Sequence, residues 1–191
     1  MVSLRRIVLF AALLAWLPAC SEEATPTPRG GDTLAPIQAA IPGFTAFTEP
    51  TLAPKAAFYD EAGGAVHLTQ YRGKVVVLNL WATWCPPCIR EMPALHRLQM
   101  AEGGADFQVI AIASGVQGRV SASDFLRAEK LPGLRAFTDP DSGFLREMGL
   151  DTLPTSLLID RSGYVVGGVT GAAEWDHEGV RKTIRALAAK P

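Results

Sequence analysis

The sequence predicts an α/β fold, a mixed central sheet flanked by helices, with an N-terminal hairpin and a central insertion. Three observations carry this. The run Val75-Val76-Val77-Leu78-Asn79-Leu80 reads as a buried strand that leads into a helix opening at Pro86. A second apolar run, Phe107 to Ala113, follows that helix, and strands that alternate with helices make parallel β-α-β units. Two late strands, Thr155 to Ile159 and Tyr164 to Val169, are joined through Arg161-Ser162-Gly163, and so short a turn joins antiparallel neighbours.

The elements follow in chain order. Arg5 and Arg6 precede an apolar stretch, Ile7 to Leu17, that is short of the roughly 20 residues a spanning helix needs. It ends in Leu17-Pro18-Ala19-Cys20 and resembles a bacterial lipoprotein processing site, so residues 1–19 read as a signal peptide and Cys20 as the lipidated residue. Residues 20–42, rich in Pro, Thr, Gly and Ala, read as a lipid-anchored flexible tether. The folded domain is expected over 43–191. Within it, Asp60-Glu61-Ala62-Gly63-Gly64 turns a hairpin between extended pieces at Ala57 to Tyr59 and Ala65 to Leu68. The helix from Pro86 to about Ala101 is closed by Gly103-Gly104. Between the second strand and the late hairpin come a helix over Ser123 to Lys130, an extended piece at Leu134 to Phe137 and a helix over Ser142 to Met148. The last helix runs from about Asp176 to Ala189.

Composition narrows the function. The chain has 191 residues, and its 48% hydrophobic content can build a core without a disulfide framework. A net charge of −1 with no long Lys/Arg block argues against nucleic acid as a partner. Cysteines number 3, an odd count that calls for a reason in an exported chain. With lipid on Cys20, the pair left is Cys85 and Cys88, in Trp84-Cys85-Pro86-Pro87-Cys88.

That pair at a strand-helix junction is a thioredoxin-like layout and points to reversible disulfide chemistry. Half of a zinc site is the competing reading, but such sites use four ligands, no second Cys pair exists, and His67, His96 and His177 are scattered. Cys85, at the helix N-terminus, is expected to attack as thiolate, and Cys88, one turn in, to resolve the mixed disulfide. Pro86 and Pro87 fit the first turn and remove two backbone N–H groups, so the first N–H a Cys85 thiolate can use is that of Cys88, with Ile89 next. Weak stabilisation of the thiolate favours a reductant, because strong oxidants stabilise their reduced form.

From Asn79-Leu80-Trp81-Ala82-Thr83-Trp84-Cys85-Pro86-Pro87-Cys88 with Glu91-Met92-Pro93, the chain resembles the exported, membrane-tethered branch of the thioredoxin superfamily, the TlpA-like proteins. Leu153-Pro154-Thr155, Leu158 to Gly163 and Gly171-Ala172-Ala173-Glu174-Trp175 extend the likeness to about Gly43 to Ala189. The resemblance implies a thiol:disulfide oxidoreductase of the bacterial periplasm that needs no cofactor beyond its redox-active disulfide. It implies a membrane thiol electron donor and clients with oxidised cysteine pairs, above all copper-site cysteines of cytochrome oxidase assembly. Relatives serving cytochrome c maturation carry Gly-x-Pro-Glu-Thr, and here Asp151-Thr152-Leu153-Pro154-Thr155 lacks the Glu.

Residue by residue, the likeness makes Glu91 an active-site acid. It also sets Asn79 where cytoplasmic relatives bury an Asp, so the proton handling is expected to pass to Glu91. Pro154 is expected to be cis and to face the Cys pair, with the backbone of Leu153 taking up a client strand. Trp84, Pro86, Pro87, Leu153 and Pro154 form the expected client-binding surface. Trp81 and Trp175 read as packing residues. A different class of function, a copper chaperone holding Cu(I) on Cys85 and Cys88, suits the soft thiolates but lacks a well-placed His.

Overall fold

A computed structural model describes residues 31–115 and 121–190. The expected signal peptide and Cys20 lie outside the described residues. One eight-stranded mixed sheet runs through the molecule in the order β1-β8-β7-β4-β5-β6-β2-β3. Its middle is β4 (Val75–Trp81), parallel to β5 (Phe107–Ser114), which is parallel to β6 (Phe137–Asp139). On the other side of β4 lie β7 (Thr155–Ile159) and β8 (Tyr164–Thr170), both antiparallel to their neighbours. The β-α-β unit and the late hairpin are therefore as expected. The expected N-terminal hairpin is β2 (Phe58–Tyr59) with β3 (Ala65–Val66), joined to the sheet through Tyr59 opposite Thr138. The central insertion is α3 (Ala122–Ala128), β6 and α4 (Gly143–Glu147).

β4 is buried along its whole length, as the unbroken apolar run requires of a strand covered on both faces. Its side chains alternate between two cores. Val75, Val77 and Trp81 pack with α2 (Pro86–Glu102) and α5 (Glu178–Ala188), whereas Val76, Leu78 and Leu80 pack with Phe58, Phe137 and Phe144. Asn79 shares the parity of Val77 and Trp81, so the strand's one polar side chain is aimed at the α2 face.

The structure corrects three boundaries. The tether expected over 20–42 does not extend to its end: Gly31–Ala40 is a helix, α1, and Leu34, Ile37 and Ile41 are buried in the core shared with α5. The two helices touch so closely at Gly179 that a Cβ there would lie 2.4 Å from the carbonyl oxygen of Pro36. A strand with no counterpart in the sequence reading, β1 (Thr45–Leu52), pairs with β8 and forms one edge of the sheet. Its largely exposed side chains and Pro50 gave it no alternating apolar pattern, and an edge is where a strand proline is tolerated. The extended piece expected at Leu134 to Phe137 begins later, at Phe137. No helix among the described residues is long and apolar enough to cross a membrane.

Because α1 is part of the core, Ile37→Ala should destabilise the domain by about 2–4 kcal/mol, as for other large-to-small core changes. Urea unfolding of the two proteins measures this, and an unpacked tether would show no change in midpoint.

Candidate active site

The chain leaves β4 at Trp81 and turns, with the N–H of Cys85 bonded to the carbonyl of Ala82 (3.1 Å), straight into α2. Cys85 is the N-cap of that helix and Pro86 and Pro87 occupy its first turn. Cys85 and Cys88 form a disulfide, with Cα atoms 5.3 Å apart. The Cys88 N–H donates to Cys85 Sγ at 3.4 Å, as the proline count led us to expect. Ile89 does not share this duty: its N–H bonds the carbonyl of Cys85 at 3.1 Å. Cys85 retains 4% of its surface and Cys88 none. Around them Trp84 is 60% exposed, Pro86 is exposed and Pro87 partly so.

The opposite wall comes from β7. Leu80 pairs with Thr155, which sets Pro154 level with Trp81 at the end of β4 where the cysteines sit. The Leu153–Pro154 bond is cis, as expected. Pro154 is buried and its carbonyl accepts the N–H of Gly171 (2.8 Å), whereas the backbone N–H and C=O of Leu153 have no hydrogen-bond partner among the described residues.

One turn after Cys88, Glu91 points inward and is 2% exposed. Asn79 Nδ2 donates to its Oε1 at 2.6 Å and also to Ser156 Oγ at 2.9 Å. On Oε2 converge the N–H of Ala173 at 3.0 Å and Trp175 Nε1 at 3.3 Å. Burial pushes the Glu91 carboxyl up to about 7, against the pull of these donors, which favour the charged form. A carboxyl poised there can give or take a proton near neutral pH.

The two cysteines, Glu91 and Asn79 are thus brought together, with Leu153 and Pro154 at the same end of the sheet. Trp81 is core, fully buried and tilted against Phe125 at 5.2 Å. Trp175 was read as packing only. It is fully buried, yet its indole N–H serves the acid. Only the likeness of Gly171 to Trp175 to relatives had drawn notice to that segment, and no spacing rule ties it to Glu91. The histidines have separate local roles: His96 Nδ1 accepts from Gly133 N–H (3.2 Å) and His177 Nδ1 from Gly179 N–H (3.1 Å), while His67 Nδ1 lies 3.1 Å from the carbonyl oxygen of Lys55. Among the described residues no group of three or more His, Cys, Asp or Glu side chains is placed to hold a metal ion.

A cysteine pair on the first turn of the helix after a central strand, faced by a cis proline, defines a thioredoxin-fold thiol-disulfide oxidoreductase. The Redoxin family model matches residues 41–184, and the chain belongs to that family, in its TlpA-like branch. It is 36% identical over 129 residues to the thiol-disulfide oxidoreductase ResA of Geobacillus thermodenitrificans, covering 66% of this chain and 72% of that one. With ResA of Bacillus subtilis it shares 29% over 133 residues, 70% of this chain and 73% of that one. A solved structure described as the thiol:disulfide interchange protein DsbE of Chlorobium tepidum superposes with a TM-score of 0.58 at 29% identity, over 74% of this chain and 98% of that one. The exposed lipoprotein thioredoxin Etrx1 of Streptococcus pneumoniae gives 0.57 at 29% identity, over 70% and 100%.

Glu91 holds its proton more tightly in the fold than in the unfolded chain. Its contribution to stability is therefore present in full below about pH 4.5 and is lost as pH rises through about 7. Glu91→Gln should remove this slope and leave the oxidised protein more stable than wild type above neutral pH, by roughly 3 kcal/mol at most. Urea unfolding between pH 4 and 9 measures it, and parallel profiles for the two proteins would contradict it.

Proposed function

We propose that this protein is a reductant of disulfides in exported proteins, with Cys85 as the attacking thiol. The single observation that carries the direction is the N-cap of α2. One N–H, that of Cys88, reaches Cys85 Sγ; two others are lost to Pro86 and Pro87, and Ile89 is spent on the carbonyl of Cys85. A thiolate so sparsely supported gives the dithiol little extra stability, which favours passing electrons on.

The cycle balances without a cofactor. Cys85 thiolate attacks the client disulfide, forming a mixed disulfide and releasing one client sulfur as thiolate. Cys88 then loses its proton and attacks Cys85 Sγ; the Cys85–Cys88 bond forms and the second client sulfur leaves. Two electrons pass to the client. Glu91, one turn below Cys88, takes the Cys88 proton. A membrane thiol donor restores the dithiol. The client strand lies against Trp84, Pro86 and Pro87 and bonds the open backbone of Leu153 beside Pro154, adding a strand at that edge of the site.

The client class we propose is the one the TlpA-like resemblance implies: cysteine pairs of copper sites in cytochrome oxidase assembly. Cytochrome c maturation, with the same chemistry on haem-site cysteines, is the second reading, favoured by the likeness to a protein named DsbE and opposed by the absent Glu before Thr155. The site belongs in the bacterial periplasm, held at a membrane by lipid on Cys20. A similar solved structure is described as an exposed lipoprotein thioredoxin, which supports the lipid anchor.

Two measurements test the reading. Equilibration with glutathione buffers should give a midpoint well below the about −120 mV of a strong oxidant, and a value near that class would overturn the direction. In cells, Cys88→Ser should accumulate mixed disulfides with its clients and Cys85→Ser should not. The reverse pattern would exchange the roles of the two cysteines, and the trapped protein names the client.

A further inference from the structure

The segment between β8 and α5, residues 171–177, contacts α2 at three points. Ala173 N–H and Trp175 Nε1 both reach Glu91 Oε2, and Asp176 pairs with Arg97 at 2.6 Å, nearly two turns further along the same helix. We propose that Trp175 is a positioning residue for the redox cycle: its indole N–H, locked over α2 by this loop, fixes the Glu91 carboxyl and sets how readily it takes the Cys88 proton. This deepens the reductant reading and rests on it for the use of Glu91.

The geometry carries the argument in both directions. Trp175 is fully buried, so its N–H has no access to water, and an unpaired donor there would cost free energy. Glu91 Oε2 is the acceptor it has. For its part, a carboxylate with no access to water is held ionised only by donors, and the loop supplies two of its three. Donors arranged this way favour loss of the Glu91 proton and so counter burial. Without Trp175 the acid would hold its proton more tightly, so less of it would stand ionised and free to take the Cys88 proton.

Few other groups can set that balance. On α2 itself Cys88 is held in the disulfide, Arg90 is exposed, and Arg97 is engaged by Asp176. From β4 and β7 come Asn79 and Ser156, which do not titrate in this range. In the loop, Glu174 and His177 are exposed, and His177 Nδ1 accepts the Gly179 N–H. The indole is thus a neutral control on a buried acid.

The test uses the oxidised full-length protein with no client, so a failure of the reductant direction leaves it intact. In 1H–15N spectra, the Trp175 indole resonance should shift with pH along one titration with a midpoint near that of Glu91, about 7. The same resonance in Glu91→Gln should be flat. In Trp175→Phe, shown to be folded by circular dichroism, the 13C-detected Glu91 carboxyl should bind its proton roughly tenfold more tightly, as expected for the loss of a hydrogen bond to a charged group. An indole that does not titrate, or one that titrates equally in Glu91→Gln, overturns the proposal. So does a folded Trp175→Phe with an unchanged Glu91 midpoint, because a packing role alone would alter stability and not proton affinity. Should that variant fail to fold, the wild-type indole titration and its Glu91→Gln control decide the matter.

Discussion

The site depends on one constraint: a carboxyl group is buried in the core one helical turn after the inner cysteine of a disulfide. Glu91 is carried inward by α2, and α2 cannot rotate it out without withdrawing Met92, Leu95 and Leu98 from the core against β4. A buried acid must either keep its proton or find donors. Here it does some of each. Asn79, Ala173 and Trp175 approach the two oxygens, and burial still outweighs them enough to hold the group near neutrality. Three elements distant in sequence, β4, α2 and the loop before α5, are thereby fixed to one another at a polar point inside an apolar core.

The sheet explains why these elements converge there. The parallel pairing of β4 with β5 sends a helix across one face, and its N-terminus opens at the end of β4, where Cys85 caps it. The antiparallel return of β7 brings Pro154 to the same end. From Gly171, whose N–H is bonded to the Pro154 carbonyl, the chain runs to Ala173 and Trp175, which both donate to Glu91 on α2. The wall that faces the disulfide and the loop that holds the acid are therefore the two ends of the β7-β8 hairpin, joined by one backbone hydrogen bond.

Much of this was legible in the residues because it is local. The Cys85 cap, the prolines of the first turn, the β4 run and the late hairpin each follow from neighbours in sequence, and residue parity along β4 puts Asn79 on the α2 side. Other parts were not local. α1 was hidden because Pro, Thr and Gly around it outweighed the sparse set Leu34, Ile37 and Ile41, whose spacing is that of one helical face. β1 lacks alternation because its side chains are mostly exposed and its hold is backbone pairing to β8. Trp175 lies 84 residues from Glu91, and a buried Trp looks the same in sequence whether or not its N–H has work to do.

The same layout separates two tasks that a single dithiol must reconcile. In the proposed cycle the attacking sulfur is Cys85, which keeps 4% of its surface and whose thiolate preference is held modest by a single N–H and two prolines. The resolving sulfur of that cycle is Cys88, which has no exposed surface and so calls for a base inside the protein. An ionised carboxylate at that depth would be costly before the proton arrives, and a fully neutral acid would be useless when it does. Burial that outweighs the three donors by this margin meets both demands, because near neutral pH the two protonation states then differ little in free energy. The balance is local to Glu91, so it can be tuned through Asn79 or Trp175 without disturbing the cap that governs Cys85.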